Sequence, residues 1–210
     1  MKRRMFLLFA AVFLLSGCRQ EIKKNPNNEG YDRQKAVDYA VKYAEKRNPE
    51  YPNMQLNCTN FVSQCLIAGG KKEDAGKAPK SGHGISFDRD KNKWYSNKKV
   101  WNSRRPASFY TSAAFVRTDA FFEYWTKGRG LELKKYRNTF DGRGKLIKEA
   151  EPGDVFLFYD GEGTIVHFGL ITKKTDHDLF FSANTKDRKN FSICSINSSY
   201  YPLYGVLFVK

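Results

Sequence analysis

Apolar residues recur with helical spacing near the beginning of the chain. In residues 31–47, alanine and valine fall on one helical face with charged residues opposite, and Pro49 follows soon after. A second apolar stripe begins at or just before Cys58 and ends at Gly69, where glycine suits a helix C-terminus. Together with a similar pattern in residues 108–125, this spacing predicts three helices.

The last third of the chain instead alternates apolar and polar residues, with many β-branched and aromatic side chains. Because helices come first and adjacent strands later, the predicted fold class is α+β, with helices packed on an antiparallel sheet of about five strands. The predicted strands are Val155–Tyr159, Thr164–Thr172, Asp178–Ala183, Phe191–Ile196 and Leu203–Val209.

The start of the chain has the anatomy of an export signal. Residues 5–15 form an unbroken apolar run after a basic start, and this run is shorter than a membrane-spanning helix. It ends in the string LSGC, which resembles the bacterial lipobox and implies attachment of diacylglycerol to Cys18. An ordinary signal peptide is the alternative. We expect residues 1–17 to be a lipoprotein signal peptide, residues 18–30 a lipidated tether and residues 31–210 the folded domain.

Composition fits a globular domain with a large positive charge. Of 210 residues 40% are hydrophobic and 15% aromatic, which is enough to bury a core and excludes wholesale disorder. The net charge is +15, and it would be +12 without residues 1–17. An exported basic protein is expected to meet anionic envelope polymers, although a solvated basic surface explains the charge equally well.

Residues 71–105 carry eleven basic and four acidic side chains. Their turn-forming composition predicts a long exposed excursion from the domain. Trp94, Tyr95 and Trp101 lie among these lysines and could stack on nucleic-acid bases, but export argues against a nucleic-acid partner.

Cys58 is the strongest candidate for a catalytic group. Asn57 before it is a suitable N-cap, which places the thiol in the first helical turn, where backbone N–H groups favour the nucleophilic thiolate. A buried structural cysteine is the alternative. Cys65, on the helical stripe, and Cys194, on a predicted strand, are expected to be core residues.

Only three histidines could serve as a general base. His83 lies in a glycine-rich loop and His177 in a polar turn, which is typical of surface histidines. His167 lies in a predicted strand and shares a face with apolar neighbours, so it is either a core histidine or the base. In an antiparallel pair Asn184 could lie beside His167 and orient its ring, with Asp187 as the fallback; a turn residue is the alternative for Asn184.

Five strings in the chain match one known family pattern: YDR at 31–33, CTNFVSQ at 58–64, PGDV at 152–155, HFGLIT at 167–172 and SANTKDR at 182–188. They resemble the bacterial putative amidase domain, a family that looks like a relative of the NlpC-type and CHAP cysteine peptidases. The resemblance therefore implies a papain-like fold.

Carried over to this chain, the resemblance implies Cys58 as the nucleophile, His167 as the base and Asn184 as the third polar residue of the site. Two positions depart from the family pattern, namely Asn57, where Asp is usual, and Asn184, where His is common. The implied reaction is acyl transfer, with backbone N–H groups at the helix start, and Gln55 as a candidate side-chain donor, holding the oxyanion.

We therefore expect a cysteine amidase or peptidase that acts on cell-envelope peptides such as those of peptidoglycan. It would be anchored by the lipid on Cys18 to the extracytoplasmic face of the cell membrane. No cofactor or metal is expected, because the chain has no Cys-x-x-Cys or paired-histidine spacing. The alternative is a catalytically weak or inactive surface-binding module on the same fold, which the two departures and the basic segment favour.

Overall fold

The computed structural model describes residues 30–79, 84–101 and 107–210. The predicted signal peptide, Cys18 and His83 lie outside these ranges, so the expectations for them remain predictions. Within the described ranges, no helix is both long enough and apolar enough to cross a membrane.

The two N-terminal helices form where the apolar spacing predicts them. Helix α1 spans Arg33–Tyr43, and Asp32 caps it by accepting a hydrogen bond from the backbone N–H of Lys35 at 3.1 Å. Helix α2 spans Cys58–Ala68 and is buried over most of its length. The chain leaves α1 earlier than predicted, since residues 44–46 already form a turn.

The basic segment and the residues after it fold into a small sheet, so the predicted exposed excursion is wrong in part. Strands β1 (Gly84–Asp88) and β2 (Ser96–Lys99) flank β3 (Ser108–Ser112), with β1 parallel and β2 antiparallel to it. Trp94 and Tyr95 are fully buried, so neither can stack on an exposed base.

The predicted third helix is wrong over its first five residues, because they form β3 and hydrogen-bond to a strand on each side. The remainder is broken into α3 (Ala113–Val116) and α4 (Thr118–Glu123). A π-helical turn, Tyr124–Gly128, follows α4.

The main sheet has six strands, one more than predicted, and all its neighbouring strands are antiparallel. The α+β class is thus confirmed. In chain order the strands are β4 (Glu132–Arg137), β5 (Val155–Tyr159), β6 (Ile165–Lys174), β7 (Leu179–Ala183), β8 (Arg188–Ser192) and β9 (Leu203–Phe208). Their spatial order is β4-β9-β5-β6-β7-β8.

A separate core lies on each face of the main sheet. The face covered by α1 to α4, called the helix face, carries Val155, Leu157, Phe168, Leu170 and Leu207. The opposite face, called the α5 face, packs against helix α5 (Phe140–Glu149) and carries Phe156, Phe158, Phe181, Tyr204 and Val206. A bulge after Phe158 changes the register, so Ile165 packs on the helix face while His167 pairs with Phe158.

The two cysteines that were expected in the core differ in burial. Cys65 is fully buried, as predicted. The expectation for Cys194 is wrong, because β8 ends at Ser192 and the alternation of the strand ends with it. Residues 193–195 form a 3-10 turn in which Ile193 takes the buried position and Cys194 is exposed.

A buried ion pair fastens α1 to the main sheet. Arg33 Nη2 lies 2.8 Å from Asp154 Oδ1, and the guanidinium also donates to the backbone carbonyls of Pro152 and Val209. The Asp154 carboxylate in turn accepts hydrogen bonds from the backbone N–H groups of Val209 and Glu151. Both charges therefore have partners on the segments before β5 and after β9.

We expect Asp154→Ala to lower the free energy of unfolding by about 3–5 kcal/mol, because it leaves the Arg33 charge buried without its partner. Urea denaturation followed by circular dichroism measures the loss. The matched control is Lys127→Ala, which removes an exposed ion pair to Glu123 and should cost less than about 1 kcal/mol. Losses of equal size would refute a special role for the buried pair.

Candidate functional site

A cleft of about 730 Å³ opens where the start of α2 meets the α3–α4 segment and the start of β6. Cys58 and His167 both line this cleft, so the structure brings the two principal candidate residues to one site. The apolar part of the lining is Met54, Leu56, Val116, Phe122, Ile165 and Val166. Its charged part is balanced, with Arg117 and Lys135 against Asp119 and Glu123.

Cys58 is the first residue of α2 and is nearly buried, with Thr59 Oγ1 3.9 Å from its Sγ atom. The expectation that the Asn57 side chain caps this helix is wrong. Its amide nitrogen donates to Asn184 Oδ1 at 2.7 Å, and its Oδ1 accepts from Asn60 at 2.8 Å. The first N–H groups of α2 are therefore left without a side-chain cap, and they can hold a negatively charged oxygen.

Asn184 does not orient His167, contrary to expectation. Its amide nitrogen donates to the carbonyls of Tyr43 at 3.0 Å and Ala44 at 2.7 Å, where α1 ends, and its oxygen accepts from Asn57. The Asn184 amide thus joins the end of α1 to the start of α2.

The register of β6 and β7 explains why Asn184 misses His167. Leu170 lies opposite Ser182, and continuing this register places Asn184 opposite Phe168, on the helix face of the sheet. His167 is one residue away on β6, and its side chain therefore lies on the α5 face.

Neither of the other two candidate partners reaches the expected place. Asp187 forms a surface ion pair with Arg47 at 3.0 Å instead of approaching the imidazole. Gln55 is exposed and does not line the cleft, whereas Met54 and Leu56 on either side of it do. His177 is exposed, as predicted.

His167 is a partly buried, neutral base. Its ring centroid lies 5.4 Å from that of Phe158, and no hydrogen bond reaches the imidazole from residues 30–79, 84–101 or 107–210. Burial lowers the pKa of His167 to about 4, and the positive charges of Arg188 and Lys186 act in the same direction. At neutral pH the imidazole is therefore in the form that can accept a proton.

Thr185 is a site residue that sequence reasoning missed. It lines the cleft, and its Oγ1 accepts the backbone N–H of Asn57 at 2.6 Å. Thr185 and Lys186 have φ angles of +67° and +56°, in the left-handed region that costs non-glycine residues about 1–2 kcal/mol each. Such strain is found mainly where the surrounding structure holds it in place for function, and no sequence signal marks it here.

Tyr159 is a second missed residue. It lines the cleft from β5, and its buried hydroxyl has no hydrogen-bond partner within the described part of the chain. Burial raises the pKa of Tyr159 to about 12, so the hydroxyl stays protonated and can donate a hydrogen bond to a bound molecule. In the sequence Tyr159 is only the last residue of a predicted strand, and nothing there marks it as a site residue.

The family model of the putative amidase domain matches residues 30–203. The chain belongs to this family. The match includes the cleft residues Cys58, His167 and Thr185 as well as Asn184, so the family pattern covers the whole candidate site.

Two relatives from Bacillus subtilis (strain 168) are themselves uncharacterized proteins. YhbB is 30% identical over 164 residues, which are 76% of this chain and 43% of that protein. YjcM is 27% identical over 165 residues, or 77% of this chain and 32% of that protein. The chain thus spans less than half the length of these relatives, and no solved structure matches it.

The family site is built without an evident metal centre in the described ranges. No group of three or more His, Cys, Asp and Glu side chains there is placed to hold a metal ion. The titratable groups in the lining of the cleft are Cys58, Tyr159, His167 and the four charged side chains.

We expect the His167 imidazole to stay neutral until the pH falls to about 4, whereas an unperturbed histidine titrates near 6.5. Because folding disfavours the protonated ring, the stability that neutral His167 contributes is complete above about pH 6.5 and is lost as the pH falls towards about 4. An NMR titration, assigned with His167→Gln, measures the pKa directly. In urea denaturation the variant should lose less stability than the wild type over this interval, and an imidazole that titrates near 6.5 would contradict the expectation.

Proposed function

We propose that this member of the putative amidase domain family is a cysteine-dependent amidase or peptidase. The observation that carries the proposal is the meeting of Cys58, at the first position of α2, with His167 on one cleft. A thiol at a helix N-terminus and a neutral imidazole are the two groups that nucleophilic attack on an amide requires. The relation to the NlpC-type, CHAP and papain-like folds belongs to the same proposal.

The reaction is acyl transfer in two steps. His167 accepts the thiol proton of Cys58 while Sγ forms a bond to the amide carbonyl carbon, and the uncapped N–H groups at the start of α2 hold the resulting oxyanion. The C–N bond then breaks as His167 returns the proton to the leaving amine. Water hydrolyses the thioester, releasing a carboxylic acid and restoring the thiol. No hydrogen bond joins Cys58 Sγ to the His167 imidazole in the described ranges. Catalytic contacts of this kind often form only when substrate binds.

Three further residues support this chemistry. Asn184 is a positioning residue, since its hydrogen bonds hold Asn57 directly before the nucleophile. Thr185 holds the same backbone through the Asn57 N–H. The unpartnered Tyr159 hydroxyl supplies a hydrogen-bond donor to substrate from the floor of the cleft.

The proposal extends to where the enzyme acts. The string LSGC ending at Cys18 supports a diacylglycerol anchor on the extracytoplasmic face of the cell membrane. Peptides of the cell envelope, those of peptidoglycan above all, are then the amide substrates within reach. The positive charge of the chain favours such anionic surroundings.

A binding module without turnover is the second candidate function. The observation in its favour is that Asn184 turns away from His167, which leaves the imidazole without an orienting partner in the described ranges. Such a module would use the same cleft to hold a peptide without cleaving it.

We expect the purified chain to release new amines and muropeptides from peptidoglycan, as detected by mass spectrometry. Cys58→Ala and His167→Ala should each lower the rate by about a thousandfold or more, because each removes a group of one catalytic unit. Cys194→Ala is the matched control, since it removes an exposed thiol outside the cleft.

Thiol labelling separates the two candidate functions on the Cys194→Ala background. Rapid iodoacetamide labelling of Cys58 near neutral pH that is lost in His167→Ala is expected for the enzyme. Slow labelling that is indifferent to His167, together with identical peptidoglycan products from Cys58→Ala and wild type, would establish the binding module instead.

Lipid attachment has its own test. We expect the chain, expressed in a bacterial host, to incorporate radiolabelled palmitate and to sediment with membranes. Cys18→Ser should abolish incorporation, because the lipid bonds to the sulfur, whereas Cys194→Ser should leave it unchanged. Equal labelling of wild type and Cys18→Ser would rule out the anchor.

A further inference from the structure

A second cavity of about 180 Å³ lies behind His167. Val166, His167 and Thr185 line both this cavity and the main cleft, so the two spaces meet at the proposed base. The rest of its lining is Phe158, Phe181, Lys186, Arg188, Ile196 and Tyr201. No acidic side chain is among them.

The two cations of this cavity have no carboxylate partner. Lys186 and Arg188 form no ion pair within the described ranges. Their neighbours do, because Asp187 pairs with Arg47 at 3.0 Å and Lys189 lies 4.0 Å from Glu45. The turn thus directs its one acidic side chain away from the cavity and leaves two positive charges facing it.

Arg188 and one hydroxyl are held in place there, whereas Lys186 is exposed. The Arg188 guanidinium lies over the ring of Phe191 at 3.9 Å, and Lys186 occupies the left-handed turn that begins at Thr185. The Thr185 hydroxyl accepts the Asn57 N–H, so its own proton remains free to donate. An anion beside His167 would therefore meet two charge-assisted donors and one neutral donor.

We propose that this cavity binds a carboxylate carried by the amide substrate itself, held by Lys186, Arg188 and Thr185. The proposal rests on the proposed amidase function and names its substrate class: acidic peptides whose side-chain or terminal carboxylate lies next to the scissile amide. The anion belongs to the substrate because the cavity joins the cleft at His167, where the amide must lie.

The size of the cavity favours a short acidic group. Its volume of about 180 Å³ accommodates a carboxyethyl side chain. A bound carboxylate would also offset the two positive charges that now disfavour protonation of His167. Substrates with the acidic group would then promote the proton transfer that starts their own cleavage.

The binding test uses the full chain carrying Cys58→Ala, so that no turnover is needed, and follows the His167 resonance by NMR. N-acetylglutamate should shift this resonance saturably and raise the pKa of His167, whereas N-acetylglutamine α-amide, which carries no carboxylate, should not do so at the same concentration. Lys186→Gln and Arg188→Gln should each weaken N-acetylglutamate binding by about tenfold or more. Lys189→Gln, the same charge change on strand β8 beside Arg188, is the matched control and should bind as the parent does.

The activity test compares two C-terminally amidated peptides, Ala-Glu-Lys-NH₂ and Ala-Gln-Lys-NH₂, which differ only in the side-chain carboxylate, with Cys58 intact. A kcat/KM at least tenfold higher for the Glu peptide, lost in Arg188→Gln and kept in Lys189→Gln, is the expected result. Equal cleavage of both peptides would overturn the carboxylate cavity while leaving the amidase standing. Specific binding of N-acetylglutamate without cleavage of either peptide would support the cavity and count against the amidase. Equal responses to inorganic phosphate and N-acetylglutamate would overturn the assignment to a carboxylate.

Discussion

The buried ion pair between Arg33 and Asp154 fixes the position of α1 on the main sheet, and the site is built outward from that helix. Tyr31 strengthens the attachment, because its hydroxyl donates to the carbonyl of Gly153 at 2.8 Å. With its beginning tied to the segment before β5, α1 presents its last carbonyls at a fixed place beside β7. The ion pair at the beginning of α1 therefore also stabilises the end of α1, on which the cleft depends.

From the end of α1, a short network of hydrogen-bonded asparagines leads to the residue before Cys58. Asn184 is buried. Its amide nitrogen donates to the last carbonyls at the end of α1, and its amide oxygen accepts a hydrogen bond from Asn57. Asn57 is held in turn by Asn60, and its backbone N–H by Thr185. Buried polar groups satisfied in this way rigidify what they join. The family strings at 31–33 and 152–155 thus hold the beginning of α1 on the main sheet.

Periodicity revealed the elements whose residues face a core, and it failed where pairing rather than pattern decides. Periodicity missed two elements. Strand β4 is a charged edge strand with little alternation, and helix α5 contains two glycines, which are poor helix formers. Cys58 and His167 could be predicted because a helix start and a strand position are local. The partner of Asn184 could not, since one residue of register between β6 and β7 decides whether Asn184 lies opposite His167 or opposite Phe168.

On the proposed function, the charges around His167 have a consequence for the reaction. The thiolate of Cys58 forms only as the imidazole becomes positive, and Lys186 and Arg188 oppose that charge while no carboxylate balances it. In a papain-like site a third residue would stabilise the imidazolium. Asn184 instead accepts a hydrogen bond from Asn57 at the start of α2. On the proposal made above, a substrate carboxylate bound in the adjoining cavity between Lys186 and Arg188 is the group that stabilises the imidazolium.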